Sequence, residues 1–275
     1  MKRICFAILT ILLFYACNPV PDPVSDNFVV EAYVFAGEPV REVTVKKLVP
    51  LSEPEGKSEI VDNANIVLRK DGSDYLLTYN SFKKKYRYEG NNLDLLPLDV
   101  LGLEVEVNGR VATATAMVPT PPVGIAISKD EMVIPEIKSA ADFLTGNPLE
   151  GAEVTVTWSN PDNELHYTSV EFRSNLLKPI LPGDVQEVVD GIIEDFGIIT
   201  TPSTDTTLTV LGATLPSYGR YIVKVYKVNQ EYADLYESET QDSRELNEPP
   251  SNIINARGIF SAFASDSIFF EVVKP

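Results

Sequence analysis

The stretch Leu103–Ala116 (LEVEVNGRVATATA) leaves the chain little freedom. Apolar and polar residues alternate on both sides of Asn108-Gly109, so each arm has one dry face and one wet face, the period of a strand. Asn-Gly supplies the two positive φ angles that a two-residue hairpin turn requires. The same pattern occurs earlier. Asn65–Lys70 runs into Asp71-Gly72, and Tyr75–Tyr79 returns. Phe28–Phe35, Val43–Val45 and Tyr86–Tyr88 are further short alternating or β-branched runs. No long helical period interrupts them. Short strands at regular spacing predict an all-β sandwich over residues 27–118.

Pro119-Thr-Pro-Pro-Val-Gly124 breaks the pattern and reads as a linker over 119–124. A second sandwich is expected over 125–275, with weak strands at Ile125–Ile127 and Met132–Ile137. Clearer ones follow at Ala152–Trp158, His166–Arg173, Thr206–Leu211 and Tyr221–Tyr226, and Ile259–Phe263 and Ser267–Val273 close the sheet. Asn160–Asn163 is a turn. Residues 176–204 are apolar, acidic and poorly periodic, and read as an insertion with a short helix from Val185 to Asp195. Tyr232, Leu235 and Tyr236 stand at helical spacing within Gln230–Leu246, which predicts one short helix near the C-terminus. Val154-x-Val-x-Trp158-x-x-Pro161 with Tyr221-x-Val-x-Val225 resembles a fibronectin type III domain, and there the tryptophan packs between the sheets.

The amino terminus speaks about compartment. Lys2 and Arg3 precede an apolar run from Ile4 to Tyr15, too short to span a bilayer, which needs about 20 residues. A basic start, a short apolar run and a small residue before a cut describe a secretory signal over residues 1–16. Ala16-Cys17 resembles the bacterial lipobox, although Phe14 and Tyr15 depart from its usual residues, and the resemblance implies acylation of Cys17. Cys5 leaves with the signal, so Cys17 is then the only cysteine and no intrachain disulfide can form. The prolines of residues 17–26 favour an extended tether.

Charge narrows the partners. The chain carries 23 basic and 40 acidic side chains, a net charge of −17, and loss of Lys2 and Arg3 deepens it by two. Such a surface repels phosphates, which argues against nucleic acid, and against docking on anionic headgroups by charge alone. Chemistry is sparse. His166 is the only histidine, so no multi-histidine metal site can form, and no G-x-S-x-G elbow or phosphate-binding loop occurs. No cofactor is expected. Asp184, Glu187, Asp190, Glu194 and Asp195 form the densest acidic cluster, yet their spacing fits no calcium loop. A glycosidase carboxylate pair is defined in space and stays open. Tyr75, Tyr79, Phe82, Tyr86 and Tyr88 crowd the first hairpin, either as ordinary packing or as a binding face.

In order of features, the chain resembles a Bacteroidetes lipoprotein family, domain-of-unknown-function family 4249. The residues that carry this are the lipobox, Val29–Tyr33, the Asp71-Gly72 hairpin, and Ala112–Pro119 followed by Pro121-Pro122. Gln230–Tyr236, Glu248–Asn252 and Gly258–Ala262 complete the set. Of the family's glycine-rich ending, Asn252, Gly258 and Phe260 are kept. The resemblance implies an outer-membrane lipoprotein, often encoded beside TonB-dependent receptors, and so a binding or accessory subunit in nutrient uptake rather than an enzyme. Asn18–Asn27 holds only Asp22 and Asp26, which leaves open whether it faces the cell surface or the periplasm. Asp205-Thr206-Thr207 and Asp266-Ser267-Ile268 match a short O-glycosylation motif of that phylum, with Thr206 and Ser267 as acceptors. A structural or adhesive lipoprotein, and then a carbohydrate-active enzyme, are the competing expectations.

Overall fold

The computed structural model describes residues 27–48, 58–139, 142, 147–181, 198–239 and 250–275. The expected signal, lipobox and tether lie outside the described residues, as do the helix expected at Val185–Asp195 and the acidic cluster around it. The described chain is strand-built, with one α-helix near the C-terminus, as expected. Its first half supplies β1 (Phe28–Phe35), β2 (Glu42–Lys47), β3 (Asn65–Lys70), β4 (Ser73–Asn80), β5 (Lys85–Arg87), β6 (Val100–Val107) and β7 (Arg110–Met117). Both predicted hairpins form. Asp71 and Gly72 sit at φ 51° and 76°, and Asn108 and Gly109 at 52° and 80°, the paired left-handed residues that match strand twist.

The second half supplies β8 (Val123–Ile127), β9 (Glu131–Val133), β10 (Glu153–Ser159), β11 (His166–Phe172), β12 (Lys178–Pro179), β13 (Ile198–Ile199) and β14 (Thr207–Leu211). It ends with β15 (Ser217–Val228), the helix α1 (Gln230–Glu239) and β16 (Arg257–Val273). Strands β14-β10-β8 form a small sheet, which packs on β13-β11-β15-β16, with β9 parallel to the end of β16. Alternation places Val154, Val156 and Trp158 of β10 against Val170, Tyr221, Val223, Val225, Phe270 and Val272 in one interior. Tyr221 closes one end of it. Its hydroxyl donates to the Ser217 carbonyl (2.7 Å), and burial pushes its pKa up to about 12.

The last strand departs from the sequence reading. Ile259–Phe263 and Ser267–Val273 are not two strands closing the second sheet but parts of one 17-residue strand. Its first part pairs in parallel with β1, from Val29 with Arg257 to Phe35 with Phe263. From Phe263 onward it pairs antiparallel with β15. Phe260 and Ala262 enter the first core, while Phe270 and Val272 enter the second from the same face of the strand. Residues 253–263, assigned from sequence to the second sandwich, therefore belong to the interior and sheet of the first. The polar Ser265-Asp266 that mimics a turn is the stretch that passes between cores, where a side chain meets water.

The first sandwich thus runs β16-β1-β2-β5-β4-β3-β6-β7. It curls until β7 meets the segment feeding β16. There Thr113 and Ile254 exchange two backbone hydrogen bonds of 3.1 and 2.8 Å. Asn252, Gly258 and Phe260 build this entry. The Asn252 side chain accepts from the Phe260 N–H (2.9 Å) and donates to its carbonyl (2.7 Å). Phe260 is fully buried. Gly258, at φ 115°, lies so close to β1 that a Cβ would stand 1.9 Å from the Val30 carbonyl oxygen.

Gly258→Ala is expected to cost ~3 kcal/mol or more, because the strand must retreat from β1 as well as adopt a strained φ. Gly109→Ala meets no neighbour within 4 Å, and is expected to cost only about 1 kcal/mol for its left-handed backbone. Urea unfolding of the two variants checks the difference.

Candidate functional site

Most residues singled out from sequence prove to be architecture. Tyr86 is buried, donating from its hydroxyl to the Val61 carbonyl (2.8 Å) and accepting from the Ala64 N–H (2.8 Å). Tyr75, Tyr79 and Tyr88 pack against the same core, and only Phe82 of that group projects into solvent, 87 % exposed in a turn. Trp158 packs between the sheets of the second sandwich, where its indole N–H is buried without a hydrogen-bond partner. His166 is 3 % exposed beside it, with ring centroids 6.1 Å apart and Nδ1 3.0 Å from the Glu164 carbonyl. Among the described residues no group of three or more His, Cys, Asp or Glu side chains is placed to hold a metal ion.

Thr206 and Ser267 are both exposed and lie in different parts of the second sandwich. Thr206 precedes β14, and its carbonyl accepts from the Trp158 backbone N–H (3.0 Å). Ser267 lies mid-strand on β16, opposite Lys224 of β15, and its backbone N–H donates to the Asp266 carboxylate (2.7 Å). Cys17 lies outside the described residues.

Two places gather chemistry instead. The first is a ring cluster on the outer face of the sheet, where β16 passes from one sandwich to the other. Phe35 stacks on Phe263 (4.9 Å between centroids), and Tyr167 stacks on Tyr226 (4.5 Å, 6° between planes). Tyr232 of α1 stands edge-on to Phe263 (4.8 Å) and to Tyr33 (5.9 Å). Each such pair contributes roughly 0.5–1.5 kcal/mol beyond area burial. The Ser261 hydroxyl donates to Glu231 (3.1 Å) and pins the start of α1. Burial pushes the Tyr167 and Tyr232 hydroxyls far above the ordinary phenol pKa, so they remain neutral donors. Lys224 edges the cluster, 5.9 Å from the Tyr226 ring and paired with Glu171 (3.5 Å). The rings come from both sandwiches and the helix, so they fasten all three together. The signal was present in Phe28–Phe35, where Val29, Tyr33 and Phe35 make the second face largely apolar as well, so both faces need cover.

The second place is the end of the first sandwich where the described chain begins. Asn27, Arg110, Val111, Ile253, Asn255 and Arg257 line an open cavity of about 600 Å3. Arg110 donates to the Asn27 side-chain oxygen, and the Asn255 amide donates to the Val111 carbonyl (3.2 Å). Asn27 also borders a neighbouring cavity of about 410 Å3 that Lys47, Glu59 and Asp62 line. Sequence reasoning missed this place because its two arginines lie far apart in the chain.

A family profile described as "Domain of unknown function (DUF4249)" matches residues 18–268. The chain belongs to the DUF4249 family. No curated protein matches this DUF4249 chain. Among solved structures it is similar to a two-fibronectin type-III-domain segment from chicken tenascin, at 11 % identity. That alignment covers 90 % of this chain and 99 % of that one, with a TM-score of 0.26. Domains A168–A170 of titin match at 12 % identity over 73 % of this chain, with a TM-score of 0.21, and the DUF4249 chain spans 56 % of that structure. The FN1–FN3 domains of chicken CNTN1 match at 12 % identity over 88 % of this chain and 68 % of that one, with a TM-score of 0.17.

His166 generates a pH prediction. Burial, and then the nearby Lys227 charge, hold its pKa below the ordinary value of 6.5, outweighing the pull of Glu164. The unfolded chain takes up the proton more readily than the folded one. Stability is therefore expected to be complete above pH ~6.5 and to decline as pH falls below it, at no more than about 1.4 kcal/mol per unit. Urea titrations between pH 7.5 and 5.5 should show a shallower decline in His166→Gln than in wild type.

Proposed function

We propose that this DUF4249 protein is a lipid-anchored binding or accessory protein of the outer membrane that works beside a TonB-dependent receptor in nutrient uptake, without catalysing a reaction. The observation that carries this reading is the sequence at Cys17. A basic start and a short apolar run lead to Ala16-Cys17, and a proline-rich spacer then delivers the chain to β1 at Phe28. Acyl chains on that cysteine hold a folded body at a membrane at about 0.8 kcal/mol per buried CH2. The ring cluster supports the reading too, since a body fastened across both sandwiches offers a receptor one defined surface. Thr206 and Ser267, both exposed, are the proposed O-glycan acceptors.

A structural or adhesive role is the second reading. It draws on the outer face of the small sheet, where Thr155 lies opposite Thr209 and Thr157 opposite Thr207. These four threonines form a hydroxyl patch, bordered by Glu153, that suits contact with an uncharged polymer.

Cys17→Ser is expected to abolish incorporation of labelled palmitate and to release the protein from membranes. Affinity purification from native outer membranes is expected to recover a TonB-dependent receptor in near-equal amount. Unlabelled wild-type protein would refute the anchor. Recovery with surface polymer and no receptor would favour the adhesive role.

A further inference from the structure

We propose that the cavity between the β1–β2 turn and the segment after β5 binds a neutral sugar, with Arg41, Asn91 and Asp94 holding its hydroxyl groups. The inference names a ligand class for the binding role proposed above, and rests on that role for its setting.

The cavity holds about 410 Å3, within the ~300–1,000 Å3 range of small-molecule sites. One wall runs from Gly37 to Arg41 and the other from Arg87 to Leu95. Backbone hydrogen bonds tie the two together. The Gly37 N–H donates to the Leu95 carbonyl (2.9 Å), and the Tyr88 N–H donates to the Val40 carbonyl (2.9 Å). The second wall is fixed from within and from behind. The Tyr88 hydroxyl donates to the Asn92 side-chain oxygen (2.5 Å), and Gly90 lies so close to it that a Cβ would stand 2.3 Å away. Lys70 Nζ donates to the Asp94 carbonyl (2.6 Å). Such a cavity is formed before a ligand arrives, which lowers the ordering cost of binding.

The lining selects the ligand. Val40 and Leu95 are buried and Leu93 is half-buried, so part of the lining is apolar. The side chains of Arg41, Asn91 and Asp94 are exposed and, among the described residues, have no hydrogen-bond or ion-pair partner. A pyranose has the matching duality, with apolar C–H groups and adjacent hydroxyls that both donate and accept. Guanidinium, amide and carboxylate each hold two polar atoms in one plane, which suits two neighbouring hydroxyls. The guanidinium only donates, the carboxylate only accepts and the amide does both, so hydroxyls in either role find a partner. Charge removes the competitors. Arg87 donates to Glu89 (2.6 Å), and the two charges cancel. Arg41 then stands against Glu38 and Asp94, which leaves no positive excess for a phosphate or an acidic sugar. An apolar ligand would strand three polar groups without partners.

Position fits capture. The proposed tether enters at Phe28, and the cavity opens past Phe35 at the other end of β1, roughly 25 Å along the strand.

The test uses the chain from residue 17 onward with Cys17→Ser, so that no lipid contributes. Calorimetric titrations are run with maltohexaose, cellohexaose, xylohexaose and mannohexaose, and with trigalacturonic acid and tetraalanine as acidic and zwitterionic probes. At least one neutral hexaose is expected to bind, and more tightly than either charged probe. Arg41→Gln and Asp94→Asn should each weaken that binding about tenfold, the loss of one charge-assisted hydrogen bond. Arg173→Gln, which removes a charge at the end of β11 in the second sandwich, should leave it unchanged. Melting temperatures confirm that each variant is folded, and either cavity variant suffices. No binding of any neutral hexaose at about 10 mM overturns the proposal, as does binding that both cavity variants retain. Tighter binding of trigalacturonic acid or tetraalanine, lost in the same variants, reassigns the cavity and overturns the sugar. Recovery of a receptor from membranes is read separately. A receptor without sugar binding refutes the cavity alone, whereas sugar binding without a receptor upholds the cavity and refutes the partnership.

Discussion

The parallel pairing of β1 with the first half of β16 is the contact on which the rest of the molecule depends. It requires two backbones to approach more closely than a side chain permits, and Gly258 against Val30 is where that happens. Once the pairing is made, Phe260 drops into the first core and Ile254 is placed to bridge β7, which closes the curl of the sheet. The same strand then runs on to pair with β15. Asn252 enforces the entry by hydrogen-bonding both backbone groups of Phe260, in the manner of a neighbouring strand.

Local structure was legible in the residues, and long-range pairing was not. The Asp71-Gly72 and Asn108-Gly109 turns followed from the backbone angles those residues tolerate. The helix followed from Tyr232, Leu235 and Tyr236, though it ends at Glu239 among the described residues. The fate of Trp158 followed from its alternation with Val154 and Val156. Nothing local to β1 announces that its second neighbour is the stretch beginning at Arg257, since parallel pairing leaves no turn between the partners. The polar Ser265-Asp266 misled for a related reason. Polarity marks exposure, and exposure arises wherever a strand crosses between cores as well as at a turn. The candidate site was hidden in the same way, because Arg110 and Arg257 meet only once β7 and β16 are brought together.

Burial here is spent on both faces of the central strands. Phe28, Val30, Ala32 and Val34 point into the first core, while Tyr33 and Phe35 turn outward into the ring cluster. The tyrosines among the outer rings carry hydroxyls at their tips, which lets them satisfy water and neighbours together. Around them the sheet carries part-buried ion pairs such as Lys46–Glu31 (2.7 Å) and Lys224–Glu171 (3.5 Å), each lying within one sandwich. The cluster, rather than the ion pairs, holds the two halves in register.

A strand shared in this way also orders events in time. The sandwich that is synthesised first cannot be finished first, because β1 must wait for residues 257–263 before its open edge is paired. Until then β1 offers an unpaired, largely apolar edge, and the chain stays extended and dependent on whatever shields such edges. Folding of this kind is slow, because the loop that must close spans nearly the whole chain before any contact rewards it. Under the export proposed above, that delay would leave the leading half open during passage, and the arrival of β16 closes both sandwiches together.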